Sequence, residues 1–118
     1  MLKIAVGHSN DPDTGEAIIE VLQHCQQQLA DGDQPQAGIL LAAIDFEFEE
    51  LLEAIAQQYP DIELIGGTTD GEISSVLGFE QDSVSLMLFC SDTITIRSGI
   101  GQQLSEDVDE AVQSAVKM

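Results

Sequence analysis

Positive charge is nearly missing from this sequence. Three basic residues, Lys3, Arg97 and Lys117, stand against 22 acidic ones, and the formal net charge is -19. Such a chain repels phosphate backbones and anionic lipid surfaces, which argues against nucleic acid and membranes as partners. The plainest use of the charge is solubility. Tryptophan is absent and aromatic residues make up 4%, so the core must be aliphatic. There are two cysteines, Cys25 and Cys90, far apart and without framework spacing. They fit free thiols in a reducing cytoplasm. No apolar run is long enough to cross a bilayer. The segment Leu2–Gly7 is too short for a secretion signal and runs into a polar loop. A cytoplasmic location is the expectation.

Metal and nucleotide signatures are lacking too. His8, His24, Cys25 and Cys90 show neither CxxC nor HExxH spacing, so no metal site is expected. Neither GxGxxG nor GxxxxGK[ST] occurs, and no cofactor is expected.

What is present reads as one α/β domain over residues 1–118. Leu2–His8 is a first strand. Asp13 and Glu16 form a capping pair for a helix with Ala17, Ile18, Val21, Leu22, Cys25 and Leu29 at helical spacing. The continuous apolar run Ala37–Ile44 suits a strand covered on both faces, the mark of a parallel sheet. Asp45 is the candidate cap of a second helix, which carries Phe48, Leu51, Leu52, Ile55, Ala56 and Tyr59 and stops at Pro60. Ile62–Ile65 is a third strand. The pattern predicts a βαβαβ unit with the first three strands mutually parallel. Ser83–Cys90 and Thr93–Ile100 then read as a β-hairpin, and Ser105 as the cap of a last helix. The expected sheet is mixed, with helices packed on it. Two strand orders stand level: the second strand central, or a flavodoxin-like order with the first strand between the second and third.

Between the third strand and the hairpin lies Gly66-Gly67-Thr68-Thr69-Asp70-Gly71-Glu72-Ile73. Glycines let the backbone turn and approach closely. Hydroxyls and carboxylates crowd the turn, and loops on strand scaffolds commonly carry chemistry. An ordinary glycine-rich strand end is the bland alternative.

Residues 64–89, LIGGTTDGEISSVLGFEQDSVSLMLF, resemble the signature of the FIST N-terminal domain, a bacterial sensory domain. The specific part is Gly-x-Thr-Thr-x-Gly-Glu-Ile, followed by Gly-Phe and the Asp-Ser-Val-Ser strand. GHSNDPDTGEA, IDFEFEELLEAI and RSGIG fall in the same order, so the resemblance spans nearly the whole chain. It implies a small-ligand-binding sensory role in signal transduction, with amino acids as suspected ligands and a signalling protein as partner. Two departures remove polar groups from the supposed site. Gly67 stands where the family often has cysteine, and Ala43 and Ile44 stand where it often has serine. The family domain is longer, so this chain resembles a shortened or fragmentary version of it.

The expected ligand-binding residues are Ser9, Asn10, Gly67, Thr68, Thr69, Asp70 and Glu72. If the first and third strands are parallel, their carboxyl ends share one edge, where open α/β sheets bind ligands. Ser9-Asn10 and Thr68-Thr69-Asp70 are then expected to approach each other. Asn10 leads into a helix start, whose free N–H groups favour a carboxylate. Asp70 and Glu72 favour an ammonium group, and together these complement a zwitterion such as a free amino acid. The rival reading is an acidic protein-interaction module without a small ligand. A hydrolase or transferase would need a constellation such as a Cys90–His8 pair, and no catalytic residue is assigned. His8 shares a strand face with Ile4 and Val6, which favours a hydrogen-bonded packing role. Arg97 is expected to pair with surface acids rather than hold a ligand. Uncovered edges and apolar patches predict a homo-oligomer.

Overall fold

A computed structural model describes all residues, Met1–Met118. The elements run β1 (Leu2–Ser9), α1 (Thr14–Gln28), β2 (Ala37–Ala42), α2 (Phe48–Gln58), β3 (Glu63–Thr68), β4 (Glu72–Ser74), β5 (Gly78–Glu80), β6 (Val84–Ser91) and α3 (Val108–Lys117). Four strands form the main sheet in the order β1-β6-β2-β3, and β4 and β5 form a small second sheet. The β2–β3 pair is parallel, while β6 runs antiparallel to both β1 and β2. The strands β1, β2 and β3 therefore all point one way, as the pattern predicted, and the fold is α/β with a mixed sheet.

The flavodoxin-like order does not occur. β6 inserts between β1 and β2, leaving β1 at one edge and β3 at the other. β2 is interior to the sheet, but the cover on both faces that its apolar run predicted does not form: Ile39 and Leu41 are only half-buried on the open face, and its β6 neighbour is antiparallel. The expected hairpin of Ser83–Cys90 with Thr93–Ile100 does not form either, because both edges of β6 are already taken. Residues 94–100 instead run without regular structure, held by side chains. Gln36 Nε2 donates to the carbonyls of Ser91 and Ile94, and its Oε1 accepts from Ile96 N–H. Glu63 accepts from Ser98 N–H at 3.0 Å. The hairpin falls earlier, at β4–β5, where Gly78 takes a φ of 75°.

Helices cover one face of the sheet. Ala17, Ile18, Val21 and Cys25 of α1, with Leu51 and Ile55 of α2, bury against Ala5, Leu40, Val84, Leu86 and Leu88. Each fully buried Leu or Ile there contributes on the order of 2 kcal/mol of transfer free energy. Gly7 lets α1 lie close, since a Cβ there would sit 2.1 Å from the Val21 carbonyl oxygen. Asp13 caps α1 by accepting from Glu16 N–H at 2.9 Å, as expected. The other two caps shift. α2 begins after Glu47, not Asp45, and α3 is capped by Asp107, not Ser105. The opposite face, carrying Val6, Ile39, Ile65 and Met87 in one row across all four strands, stays largely open.

Candidate functional site

The chain leaving β3 turns back over the carboxyl ends of the strands. Thr69 N–H donates to Ala42 O at 3.0 Å, extending the β2–β3 ladder by one bond. Glu72 then dives inward and is 1% exposed. Its Oε1 accepts from Ser83 N–H at 3.1 Å and from Ser83 Oγ at 2.5 Å, and its Oε2 accepts from Thr69 Oγ1. His8, fully buried, places Nε2 2.8 Å from Ser83 Oγ and Nδ1 2.6 Å from Ser74 Oγ.

The partners fix the direction of every proton in this chain. A carboxylate only accepts, so Ser83 spends its hydroxyl hydrogen on Glu72. Ser83 Oγ must then accept from His8 Nε2–H. Ser74 Oγ accepts the N–H groups of Val76 and Leu77 at 3.1 and 3.2 Å, so its hydrogen goes to His8 Nδ1. The result is a neutral His8 with every polar atom satisfied. Burial pulls the His8 pKa below its ordinary value, against the pull of Glu72 and Glu80 upward; His24 adds a smaller lowering effect. This is a tether that ties β4 to β1 and β6. The acid faces the serine and not the histidine, an order unlike that of a Ser-His-Asp triad.

Beside this tether, β3 and α2 leave an apolar groove of about 280 Å³. Phe48, Leu52, Leu64 and Ile65 line it, and Gly67 and Thr68 sit at its strand-end side. The volume is at the lower end for ligand pockets.

The expected site residues divide accordingly. Gly67 and Thr68 line the groove; Asp70, two residues on, is exposed and not part of its lining. Thr69 and Glu72 come together as the anchor of the loop, so Glu72 is not the free surface carboxylate the reading required. Ser9 and Asn10 do not approach Thr68–Asp70. They end β1 at the far edge, across two intervening strands, a span of roughly 14 Å. Ser9 is buried and its Oγ accepts from Asp11 N–H. The start of α1 is filled by the Asp13 carboxylate, so it offers no anion seat. Sequence reading passed over Ser74 and Ser83 as partners of His8. The Asp-Ser-Val-Ser segment was the available signal.

Arg97 pairs with Glu63 at 3.9 Å on the surface, as expected. Cys90 lies opposite Lys3 in the sheet and His8 opposite Ser85, roughly 17 Å apart along the strands. They form no pair. Cys25 and Cys90 are free and buried; burial pushes the Cys25 thiol up to about 12 and also raises Cys90. A thiol that is neither exposed nor ionised is inert. Both cysteines are expected to resist Ellman's reagent in the folded protein and react after denaturation; fast native labelling at either would contradict this packing.

The sequence matches the FIST N domain over residues 7–118. This chain belongs to the FIST N domain family. The family is one of sensory domains in signal transduction. A comparison with curated proteins finds no match. Among solved structures, a point mutant of FtsZ from M. jannaschii is similar at 20% identity and a TM-score of 0.45, over 76% of this chain and 27% of that one. An empty FtsZ dimer from M. jannaschii gives 20% and 0.44, over 75% and 26%. The FIST N chain thus spans about a quarter of these structures. No helix of the FIST N domain is long and apolar enough to cross a membrane.

Proposed function

We propose that this FIST N domain is a ligand-binding sensor of intracellular signalling, and that its ligand is an amino acid or related zwitterion with an apolar side chain. The observation that carries this reading is the groove between β3 and α2. Phe48, Leu52 and Leu64 would take the apolar side chain. Thr68 lines the end where a polar head group would sit, and the exposed Asp70 follows it by two residues. Asp70 would accept from the ammonium, and the Thr68 hydroxyl would donate to the carboxylate. Family membership supports the sensory role, and the groove's chemistry supports the ligand class. No catalytic role is proposed for any residue. The rival, a protein-interaction module, draws support from the open sheet face.

Thermal shift tests the proposal. A ligand at a hundred times its dissociation constant adds about 2.7 kcal/mol. For a domain of this size the melting temperature should rise on the order of 10 °C. Leucine, isoleucine, methionine and valine should act, and aspartate and lysine should not. Thr68→Val and Asp70→Asn should each weaken the response without unfolding the protein. Thr69 is left intact because it anchors Glu72. If no zwitterion shifts the melting point, or if the response survives both changes, the site assignment fails.

A further inference from the structure

The two edges of the main sheet are treated differently. The β1 edge is blocked at Val6 and His8 by side chains of α1. Gln28 Oε1 accepts from Val6 N–H at 2.9 Å, and its Nε2 donates to Val6 O at 2.6 Å. His24 Nδ1 accepts from His8 N–H at 3.4 Å. Gln28 thus mimics a neighbouring strand. Covering an edge in this way prevents strand addition.

The β3 edge has no such hydrogen-bonded seal; Ser98–Ile100 and Met118 flank Leu64–Gly66 across an open groove. Glu63 N–H points inward to Gln36 O, and Thr69 N–H points inward to Ala42 O. Backbone groups alternate sides along a strand. Leu64, Gly66 and Thr68 therefore turn their N–H and C=O groups outward, and no backbone partner meets them. Apolar side chains flank this edge on both sheet faces, Leu52 and Phe48 on one and Ile65 on the other, all exposed.

We infer that the outer edge of β3 is a docking edge for a second copy of this chain, joined antiparallel about a two-fold axis at Gly66. Surface area supports a partner of this size. A compact monomer of this mass exposes about 6,200 Å². This chain exposes 7606 Å². The excess, about 1,400 Å², exceeds the ~800 Å² that each partner buries in a standard interface. The radius of gyration, 15.1 Å, likewise exceeds the ~13.5 Å of a compact chain.

The register follows from the outward groups. Antiparallel bonding pairs residues whose N–H and C=O groups both face the partner. Leu64 then lies opposite Thr68 of the partner subunit, and Gly66 opposite Gly66 of the partner subunit. A Cβ at Gly66 would meet Leu40 O at 1.8 Å, so this position is bare, and two bare positions meet on the axis. Glu63 falls opposite Thr69 of the partner subunit, so no two carboxylates face each other in the ladder. Two-fold pairing uses the same β3 edge of both copies and so closes at two, with β1 blocked at Val6 and His8. The inference rests on backbone geometry and not on the ligand reading, although the paired edge borders the groove proposed for the ligand.

Sedimentation of the full chain at low and high salt tests it. The expected mass is twice the 12.7 kDa of one chain, with salt strengthening the association by screening the net charge. Amide exchange should show Leu64, Gly66 and Thr68 protected in the dimer. Ile65→Lys should return a folded monomer with those amides exposed. Thr68→Pro removes an outward N–H without cutting the β2–β3 ladder, and should do the same. Met87→Lys, on the open sheet face, should leave the dimer intact. A monomer at high salt overturns the inference. So does a dimer whose Leu64, Gly66 and Thr68 amides exchange freely, or one lost in Met87→Lys but kept in both edge variants.

Discussion

The Glu72→Ala protein is expected to unfold with about 3 kcal/mol less stability than the parent. The carboxylate is 1% exposed and takes three hydrogen bonds. Truncation leaves the Ser83 N–H, the Ser83 hydroxyl and the Thr69 hydroxyl inside the protein without that acceptor. Buried donors stripped of partners cost about 1–3 kcal/mol each, less what rotation and water recover. The melting temperature should fall by roughly 10 °C. Glu72→Gln keeps the volume and one carbonyl oxygen for Ser83, so it should cost about 1 kcal/mol. The loop from Thr68 to Gly71 would also lose its inward anchor. The groove mouth would loosen, and any ligand-induced melting shift should shrink with it. Urea denaturation at unchanged m-value checks the first effect. A loss under about 0.5 kcal/mol in Glu72→Ala would mean that water replaces the carboxylate at no cost, and that the tether does not hold the loop.

Much of this architecture could be read from residue pattern. The helical spacing of Ala17, Ile18, Val21 and Cys25 located α1, and Asp13 with Glu16 located its start. The apolar run from Ala37 placed β2 inside the sheet. What failed was pairing at long range. Nothing in Val84–Ser91 says that it will slot between β1 and β2; only the assembled sheet shows that both its edges are occupied. Thr93–Ile100 has strand composition, yet no edge of β6 remains for it. The candidate site failed for the same reason. With β1 and β3 at opposite edges, Ser9 and Asn10 could not meet Thr68. The His8 partners lie 66 and 75 residues away, beyond any local pattern. The groove was half legible. Gly67 and Thr68 stood out as polar loop chemistry, whereas Phe48 and Leu52 read as an ordinary core stripe until α2 was seen to leave them exposed.

Stability is expected to fall as pH drops below about 6.5, the ordinary value for histidine. The folded protein holds His8 neutral, with its pKa lowered by burial. The unfolded chain has no such constraint and binds its proton first. Where the unfolded state carries more protons, stability rises with pH and is lost as pH falls. The loss therefore begins near the unfolded value and grows until the folded ring itself titrates. Its slope is at most one proton, about 1.4 kcal/mol per pH unit. Every group facing the ring bears on it. Glu72 and Glu80 favour the charged form, and His24 on α1 opposes it. Protonation would also turn Nδ1 into a donor aimed at Ser74, whose hydrogen already points that way. The Ser74 contact must then reorganise, loosening β4 from β1. The His24→Gln protein isolates the buried ring. In that background, urea midpoints measured from pH 7.5 to 5 should still decline. Adding His8→Asn should lower stability at neutral pH and flatten the decline across the window. If the slope is unchanged by His8→Asn, the titration belongs to other groups and the buried ring is not its source.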